Sequence, residues 1–357
     1  MNGPVVKVLI MAGGTGGHVF PALAVAEELR HRGCAVTWLG TPRGIEAELV
    51  PARGFPIDYI EVAGVRGKGM ARKITALAQL ARALMQALRA VRRRRPRVVL
   101  GFGGFASGPG GVAARLLGIP LVIHEQNAIA GTTNRLLARI SRRVLLGFPG
   151  ALPRGEHCGN PVRAEIAVLG GREAASQRGQ PMRLLVLGGS LGAQAINAET
   201  PRALGLLPAT ERPEVWHQAG RQHVEATRGA YADAGVAARI EPFIEDMAAA
   251  YGWADLVLCR AGALTVSELA AAGIGAILVP FPHAIDDHQT HNGEWLAGAG
   301  AALLIQQRDL SAAKLAAMLA ELAANPERRA AMAEHALALA LPDATARVAD
   351  ICLAVAA

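Results

Sequence analysis

The residues best suited to chemistry follow a short apolar run near the start of the chain. Residues 13–18, Gly-Gly-Thr-Gly-Gly-His, place four glycines in five positions before His18. Glycine loops leave backbone N–H groups open to a phosphate, and the N-terminus of the helix that follows adds a favourable dipole. His18 adds a titratable group at the mouth of the loop. The pattern predicts an anion site; the simpler alternative is a turn that binds nothing.

This opening loop departs from the dinucleotide-binding pattern in two places. That pattern needs a third glycine, where the chain has Val19, and an acidic residue ending the second strand, where residues 38–42 have none. The chain also lacks the Gly-Lys-Ser/Thr of a P-loop. A nicotinamide or flavin enzyme and a P-loop ATPase are therefore disfavoured.

A second glycine loop lies in the other half of the chain, at Gly188–Gly192. Like the first, it follows an apolar run and precedes a helical stretch. Short apolar runs alternate with helical patterns through both halves, which is typical of doubly wound parallel sheets. We predict an α/β protein with two similar domains, residues 1–161 plus 342–357 and residues 162–341. Pro342 separates the last helix from the helix before it.

A further helix start follows the apolar run 255–259. Thr265 and Ser267 are suited to cap a helix predicted over 266–272, because their side-chain oxygens accept from free N–H groups. The N–H groups of such a start suit a diphosphate, and Glu268 in its first turn suits the two hydroxyls of a ribose. The simpler alternative is that Glu268 only caps the helix.

Four polar residues, His124-Glu125-Gln126-Asn127, end a buried strand. Ligands of α/β proteins bind outside the carboxyl ends of the strands, so Glu125 or Asn127 is expected at a substrate. A hydrogen-bonded loop is the alternative for some of these residues.

No set of residues is suited to hold a metal. His288 and His291 share a helical face, but no further side chain is placed to complete four ligands, and there is no Asp-x-Asp. We therefore expect no metal and no other cofactor. A diphosphate leaving group would be stabilised by helix N-termini and backbone N–H groups.

The net charge of +8 comes from one segment. Residues 66–97 carry 11 Lys and Arg and no Asp or Glu, which leaves 26 basic and 29 acidic residues elsewhere. An anionic lipid surface, a nucleic acid and a solvated helix face are the alternatives. Lipid attracts each nearby basic residue by about 1 kcal/mol. The segment has no aromatic residue to stack on bases, which disfavours nucleic acid.

Apolar residues within that segment recur at helical spacing and predict a stripe that faces the core. The stripe consists of Ile74, Leu77, Ala81, Leu84, Leu88 and Val91. Leu80 and Met85 fall outside it, among basic residues, and are expected on the surface.

The whole chain has the composition of a soluble globular protein. Its 357 residues suffice for two domains. The four cysteines are spread along the chain without a Cys-x-x-Cys pair, which favours reduced thiols in a cytosolic protein. The sequence shows no signal peptide pattern and no run of the roughly 20 apolar residues that a spanning helix needs.

Taken together, the motifs resemble one family closely, over essentially the full chain. They are Gly13–Pro21, Gly64–Gly69, Gly103–Pro109, His124–Asn127, Gly159–Arg163, Gly188–Ala193 and Arg260–Glu268. In this order they are similar to the MurG family, the bacterial glycosyltransferases that add N-acetylglucosamine to undecaprenyl-pyrophospho-muramyl-pentapeptide in peptidoglycan synthesis. The resemblance implies a GT-B fold, in which two Rossmann-like domains face each other across a cleft and the last helix returns to the N-terminal domain.

The resemblance also implies roles for individual residues. UDP-N-acetylglucosamine is expected mainly on the C-terminal domain, with Ile244 at the uracil and Gln289 at the sugar hydroxyls. The full set implied for the donor is Thr15, Gly16, Gly17, Asn127, Arg163, Ser190, Ile244, Ala263, Leu264, Thr265, Val266, Ser267, Glu268 and Gln289. The acceptor pyrophosphate is expected beside the opening loop, at Gly14, Gly103 and Gly104.

The basic segment is implied to rest on the membrane. Its membrane-facing residues would be Lys68, Arg72, Lys73, Leu80 and Arg82. They would contact the anionic inner leaflet, which makes the protein peripheral on the cytoplasmic face of the cell inner membrane. The implied partners are the donor nucleotide, the lipid-linked acceptor, that surface and other cell-wall synthesis proteins, with no nucleic acid.

The expected reaction is a direct displacement with inversion, catalysed by a hexosyltransferase. The 4-hydroxyl of the muramyl sugar attacks the anomeric carbon of the donor sugar, and UDP leaves. His18 is the expected base, and Glu125 is the second choice. A UDP-sugar epimerase on the same fold is the alternative enzyme. A basic membrane- or nucleic-acid-binding protein is the non-enzyme alternative.

Overall fold

The structure is a computed structural model that describes residues 5–62, 70–170, 181–189 and 192–357. For residues 70–76 and 285 only the backbone is described.

Contacts between Cα atoms divide the chain into two units. The N-terminal unit comprises residues 1–163 and 341–357, and the C-terminal unit comprises residues 164–340. The first boundary lies two residues, and the second one residue, from the boundaries predicted above.

The strands of both units are short, and in the described residues every strand pair is parallel. The strands are β1 (Lys7–Ala12), β2 (Ala35–Gly40), β3 (Ile57–Tyr59), β4 (Val98–Gly103), β5 (Leu121–Glu125), β6 (Arg143–Leu146), β7 (Glu156–His157), β8 (Arg183–Leu187), β9 (Glu214–Gln218), β10 (Arg239–Glu241), β11 (Leu256–Cys259), β12 (Ala276–Leu278) and β13 (Ala302–Leu304). The N-terminal sheet has the order β3-β2-β1-β4-β5-β6-β7, and the C-terminal sheet has the order β10-β9-β8-β11-β12-β13.

Helices connect the strands. They are α1 (Gly16–His31), α2 (Glu46–Ala52), α3 (Met70–Arg94), α4 (Ser107–Leu116), α5 (Thr132–Leu137), α6 (Ala164–Ala167), α7 (Gln194–Gly205), α8 (Val224–Asp233), α9 (Met247–Trp253), α10 (Ala263–Ala272), α11 (His288–Gly298), α12 (Ala312–Ala324), α13 (Pro326–Ala338) and α14 (Ala344–Ala356).

Strand β1 shows why the N-terminal sheet carries helices on both faces. Successive side chains of a strand point to opposite faces, and a parallel sheet buries both. Val8 and Ile10 belong to one core cluster, with residues of α1 and α14. Leu9 and Met11 belong to another, with residues of α3 and α4. The continuous apolar run that begins the chain is therefore a central strand.

The last helix, α14, completes the N-terminal unit. Val348, Ala349 and Cys352 are fully buried in the same cluster as residues of α1. The guanidinium of Arg97 donates to the carbonyl of Ala356 over 3.1 and 3.2 Å, which fixes the end of the helix. Arg32, the residue that follows α1, pairs with Asp350. Burial of α14 on α1 therefore joins the two ends of the chain in one unit.

The strand order of each sheet defines where a ligand is expected. In the N-terminal sheet the order reverses between β1 and β4, and in the C-terminal sheet it reverses between β8 and β11. At such a switch point the loops that leave the two strands diverge, and a crevice forms at the carboxyl ends. The four loops there are 13–15, 104–106, 188–193 and 260–262, which include the glycine-rich motifs found in the sequence.

Candidate functional site

Two glycine loops pack against each other at the switch point of the N-terminal sheet. Gly104 has a φ of 80°, and a Cβ built there would lie 2.2 Å from the carbonyl oxygen of Gly13. Gly103 has a φ of 97°, and its Cβ would lie 3.2 Å from Cε1 of His18. The backbone conformation and the close approach both require glycine at these positions. The imidazole of His18 therefore lies directly against the loop that follows β4.

Glu46 lies under the opening loop, and no sequence motif indicated its role. Its side chain is fully buried, and its Oε2 accepts from the backbone N–H of Gly14 over 2.9 Å. Its Oε1 accepts from the backbone N–H and the hydroxyl of Thr41. The N–H of Gly14 is thus already bonded to Glu46, and the expectation that Gly14 lies at the acceptor pyrophosphate stays a prediction. Glu46 is 32 residues from Gly14 in the sequence, so no local pattern predicts this hydrogen bond.

The N–H groups of Gly16 and Gly17 remain as donors at this loop. Both residues lie in the first turn of α1, where N–H groups have no carbonyl partner within the helix. The N-cap is Thr15, whose side chain makes no capping hydrogen bond. The backbone N–H of His18 donates to the carbonyl of Thr15 over 3.1 Å, so the free donors end at Gly17. This helix start is suited to an anion, as predicted.

His18 is held by the polar residues that end β5. Its Nδ1 lies 2.9 Å from Oε1 of Gln126. Nε2 of Gln126 lies 3.1 Å from Nδ1 of His124, and Nε2 of His124 lies 2.9 Å from the carbonyl of Gly159. His124 is completely buried, and desolvation lowers its pKa from 6.5 to about 4. The ring of His124 is therefore neutral at physiological pH.

Glu125 is bonded to the loop that follows it. The carboxylate is 1% exposed, and its Oε1 accepts from the backbone N–H and the side chain of Asn127 over 3.0 and 3.3 Å. Its Oε2 accepts from the N–H of Gly131 and from Nδ2 of Asn134. Four donors thus hold the carboxylate in place, whereas His18 is only half-buried. This geometry favours His18 over Glu125 as the base.

The Gly159–Arg163 motif closes the same end of the N-terminal sheet. The side chain of Asn160 donates to the carbonyl of Gln126 over 3.0 Å, and the carbonyl of Gly159 accepts from His124. Gln126, His124 and Asn160 are residues to which the sequence assigned no role. Arg163, expected at the donor, is the last residue of this part of the N-terminal unit.

The start of α10 is the strongest candidate for the diphosphate in the C-terminal unit, and it differs in detail from expectation. The helix begins at Ala263, with Gly262 as the N-cap, rather than at Val266. The N–H of Val266 is the first to bond back, to the carbonyl of Gly262, so those of Ala263, Leu264 and Thr265 have no partner within the helix. The expectation that Thr265 and Ser267 cap the helix was wrong, since Gly262 lies at the cap and Ser267 donates to the carbonyl of Ala263.

Glu268 lies in the second turn of α10, not the first. It is 4% exposed, and the hydroxyl of Tyr251 donates to its Oε2 over 3.2 Å. Because the carboxylate is buried and hydrogen-bonded, it is not a surface cap. The alternative that Glu268 only caps the helix is therefore excluded. Its orientation is fixed by α9, the helix that carries Tyr251.

Two glutamines shape the rest of this unit's candidate site. Oε1 of Gln218, at the end of β9, accepts from the backbone N–H of Ile244 over 2.9 Å. The N–H of Ile244 is therefore occupied, and the expected backbone contact with uracil is limited to the carbonyl of Ile244. Oε1 of Gln289 accepts from the N–H of Phe281 over 2.9 Å, which turns the NH₂ of this glutamine outward for hydroxyl acceptors.

The second glycine loop is described at its two ends. The N–H of Gly188 donates to the carbonyl of Gln218, and Gly192 has a φ of 80° with its Cβ position 2.5 Å from the carbonyl oxygen of Ala219. Gly192 is thus required by the approach of β9. Ser190, expected at the diphosphate, lies outside the described residues.

Helix α3 carries the residues expected on a membrane. Lys68 lies outside the described residues, and Arg72 and Lys73 lie in the turns of α3 whose backbone alone is described. Leu80 is 48% exposed, and Arg82 pairs with Glu61 over 2.9 Å.

The apolar stripe predicted for α3 is wrong at Leu77 and Ala81, and the side chain of Ile74 lies outside the described part of the chain. Leu77 is 69% exposed and Ala81 is also exposed, whereas Ala83, Ala87, Ala90 and Val91 are buried. The part of the helix at residues 77–82 is exposed throughout, so no core lies beneath its apolar residues. Leu77, Leu80 and Met85 therefore form an exposed apolar surface.

The described residues contain neither a cluster of metal ligands nor a helix able to span a membrane. No three His, Cys, Asp or Glu side chains within the described ranges are grouped so that they could hold a metal ion. None of the helices in that part of the chain has the length and apolar composition that crossing a bilayer requires.

The arrangement of two parallel-sheet units, each with a helix start open to phosphate at its switch point, is that of a GT-B glycosyltransferase. The model of the glycosyltransferase family 28 N-terminal domain matches residues 8–146, and that of the family 28 C-terminal domain matches residues 183–348. The chain belongs to glycosyltransferase family 28.

Full-length relatives narrow the comparison. The chain is 58% identical to the UDP-N-acetylglucosamine–N-acetylmuramyl-(pentapeptide) pyrophosphoryl-undecaprenol N-acetylglucosamine transferase of Azotobacter vinelandii, over 98% of this chain and 99% of that one. It is 59% identical, over the same shares, to the protein of that name from Stutzerimonas stutzeri. The crystal structure of Acinetobacter baumannii MurG covers 98% of this chain and 99% of its own, with 42% identity and a TM-score of 0.83. The resemblance to the MurG family is confirmed.

A more distant structure shares the fold alone. The UDP-GlcNAc 2-epimerase of Neisseria meningitidis has 12% identity and a TM-score of 0.67, and the match covers 98% of this chain and 100% of that one.

The contact between the two glycine loops gives a first prediction. Gly104→Ala places a methyl carbon 2.2 Å from the carbonyl oxygen of Gly13, so the loops must separate and His18 must shift. A displacement of about 1 Å in an active site lowers turnover by about 100-fold. We expect a loss of that order in kcat/KM for glycosyl transfer.

Gly118→Ala is the matched control, because Gly118 has a φ of 70° but no atom within 4 Å of its Cβ position. It carries the same kind of backbone strain without the clash. Equal activities of the two variants would show that the contact between the loops has no importance for the reaction.

Proposed function

We propose that this chain is an inverting hexosyltransferase of peptidoglycan precursor synthesis. It transfers N-acetylglucosamine from UDP-N-acetylglucosamine to the 4-hydroxyl of the muramyl sugar of undecaprenyl-pyrophospho-muramyl-pentapeptide, which converts lipid I to lipid II. The observation that carries this assignment is 58% identity, over 98% of the chain, to a relative with that acceptor and that transferred sugar in its name.

The C-terminal unit holds the donor in this proposal. The diphosphate binds at the three unbonded N–H groups that begin α10, at Ala263 to Thr265, where the helix dipole favours negative charge. Val266 and Ser267 continue that first turn, Ser190 lies in the second glycine loop, and Glu268 accepts from the ribose hydroxyls. The carbonyl of Ile244 meets the uracil, and the NH₂ of Gln289 meets the sugar hydroxyls.

The N-terminal unit holds the acceptor. The N–H groups of Gly16 and Gly17 bind its pyrophosphate, and the loop at Gly103 and Gly104 packs beside them. Glu46 is fully buried beneath the loop, and its role is to hold Gly14 in the conformation that exposes these donors. Thr15, Asn127 and Arg163 lie at the same unit and line the path of the donor sugar.

The reaction is a single displacement. The oxygen of the acceptor 4-hydroxyl forms a bond to the anomeric carbon, the bond from that carbon to UDP breaks, and His18 takes the hydroxyl proton. General base catalysis of this kind contributes about 10²–10⁴ in rate. The negative charge that develops on UDP is stabilised by the backbone donors of α10, each worth about 3 kcal/mol when preorganised. No metal or cofactor is required in this mechanism.

The exposed surface of α3 places the enzyme at its lipid substrate. Leu77, Leu80 and Met85 insert among lipid headgroups, and the basic residues Lys68, Arg72, Lys73 and Arg82 attract anionic lipid. The enzyme is then peripheral on the cytoplasmic face of the inner membrane, where the polyprenyl chain is anchored. Other proteins of cell-wall synthesis are further proposed partners.

Acceptor-dependent release of UDP tests the function. With UDP-N-acetylglucosamine and a soluble short-chain analogue of the lipid acceptor, we expect UDP release only when the analogue is present. EDTA should leave the rate unchanged, because backbone donors replace a metal in stabilising UDP.

Conversion of UDP-N-acetylglucosamine into an epimeric UDP-sugar, with no acceptor-dependent release of UDP, would exclude transfer and favour the alternative, a UDP-sugar epimerase on the same fold. Loss of activity in EDTA, restored by a divalent cation, would contradict the metal-free mechanism alone.

Glu268→Gln tests the donor site. Each hydrogen bond to a charged group contributes about 1.5–3 kcal/mol, which corresponds to roughly a 10- to 100-fold rise in the KM for the donor. The measurement is initial-rate kinetics at saturating acceptor, where kcat should change much less than KM. Glu327→Gln is the control, since Glu327 is exposed in the first turn of α13. An unchanged donor KM in the Glu268 variant would remove its ribose role.

A further inference from the structure

A continuous set of hydrogen bonds runs from His18 into the interior of the N-terminal unit. It passes from Nδ1 of His18 to Oε1 of Gln126 over 2.9 Å, and from Nε2 of Gln126 to Nδ1 of His124 over 3.1 Å. It ends where Nε2 of His124 meets the carbonyl of Gly159 over 2.9 Å. Gln126 is 1% exposed and His124 is fully buried, so water does not compete for these bonds.

Two backbone carbonyls fix the direction of every bond in this set. Nε2 of Gln126 also lies 3.0 Å from the carbonyl of His124, and a carbonyl only accepts, so this atom is the amide NH₂ and Oε1 is the atom that faces His18. By the same argument Nε2 of His124 carries a proton that it donates to Gly159. Nδ1 of His124, neutral because burial lowers the pKa of this ring to about 4, then accepts from Gln126.

The consequence falls on His18. An amide oxygen cannot donate, so Nδ1 of His18 must carry the proton in the bond to Gln126. In a neutral imidazole the other nitrogen, Nε2, then holds the lone pair. The protonated ring keeps the same bond at Nδ1, so a proton is gained and lost at Nε2 alone.

The backbone around Gln126 is also held. The side chain of Asn160 donates to the carbonyl of Gln126 over 3.0 Å, and the Gly159 carbonyl that ends the set lies one residue away from Asn160. The neighbouring carboxylate of Glu125 is bonded to Asn127, Gly131 and Asn134, so it does not compete for His18. The surroundings therefore permit one orientation of the Gln126 amide.

We propose that Gln126 is a positioning residue for glycosyl transfer, whose side-chain amide, oriented by His124 and Gly159, keeps His18 protonated at Nδ1 and leaves Nε2 as the atom that removes the acceptor proton. This inference rests on the proposed function. In the step itself, the O–H bond of the acceptor breaks and an N–H bond forms at Nε2, while the oxygen bonds to the anomeric carbon and UDP leaves with the electron pair. Buffer then takes the proton from Nε2.

Nuclear magnetic resonance of the ¹⁵N-histidine-labelled protein, without substrate, tests the proposal. At a pH where the ring is neutral, long-range ¹H–¹⁵N correlation distinguishes the two tautomers, and His18→Gln assigns the signal by its loss. We expect the shift of a protonated nitrogen at Nδ1 of His18 and of an unprotonated nitrogen at Nε2. The opposite tautomer in the wild-type protein would overturn the proposal, whatever the enzyme activity is.

Variants at Gln126 connect the tautomer to catalysis. Gln126→Leu removes the acceptor for Nδ1, so we expect a mixed tautomer at His18 and a fall in kcat of roughly 10- to 100-fold, with the donor KM within 2-fold of wild type. Gln126→Glu keeps an acceptor oxygen for Nδ1 but loses the NH₂ that donates to His124, so it should restore the tautomer and only part of kcat. The control is Gln306→Leu, at a part-buried glutamine of the other unit, which should leave the His18 spectrum unchanged.

The outcomes separate this inference from the proposed function. Acceptor-dependent transfer with the opposite tautomer, or with an unchanged kcat in Gln126→Leu, would reject the role of Gln126 and leave the function intact. The expected tautomer in a protein without transfer activity would reject the function. A Gln126→Leu variant that does not fold leaves the wild-type spectrum and Gln126→Glu to decide.

Discussion

The close approach of two glycine loops at the carboxyl ends of β1 and β4 is the constraint on which the N-terminal site depends. A carbon atom at the Cβ position of Gly104 would lie 2.2 Å from the carbonyl oxygen of Gly13, so Gly104 cannot carry a side chain. The parallel sheet creates this meeting point, because β1 and β4 are neighbours and both loops leave at the carboxyl ends of their strands. His18, which lies against Gly103, takes its position from the same contact.

The two units share one backbone architecture at their candidate sites and carry different functional side chains there. Each has a helix start with unbonded N–H groups at the switch point of its sheet, α1 in one and α10 in the other. The N-terminal unit adds a histidine whose outer nitrogen is left unprotonated by a buried amide. The C-terminal unit adds a buried carboxylate, Glu268, fixed by Tyr251. In the proposed function, proton transfer and nucleotide binding therefore belong to two different units with the same kind of sheet and helix start.

Local sequence patterns predicted what depends on local chemistry. The apolar run of β1, the glycine loops, the two-domain division and the return of the last helix after Pro342 follow from periodicity, turn residues and family motifs. Partners distant in sequence were not predictable: Glu46 bonds to a residue 32 positions away, and Gln126 bonds to one 108 positions away. The prediction of a core-facing stripe on α3 was wrong at Leu77 for a related reason. Periodicity shows which residues share a helix face, but it does not show whether anything packs on that face.

The anomeric configuration of the product is the sharpest test of a single displacement in which His18 is the base. A single displacement, with the acceptor hydroxyl deprotonated by His18, must convert the α-linked sugar of UDP-N-acetylglucosamine into a β-linked one. The proton coupling constant at the new anomeric centre, measured on the disaccharide formed with a soluble acceptor analogue, distinguishes the two linkages. Single displacement gives only the β linkage, and we expect product formation to be strongly reduced in His18→Gln. An α-linked product, or full activity without His18, would contradict it.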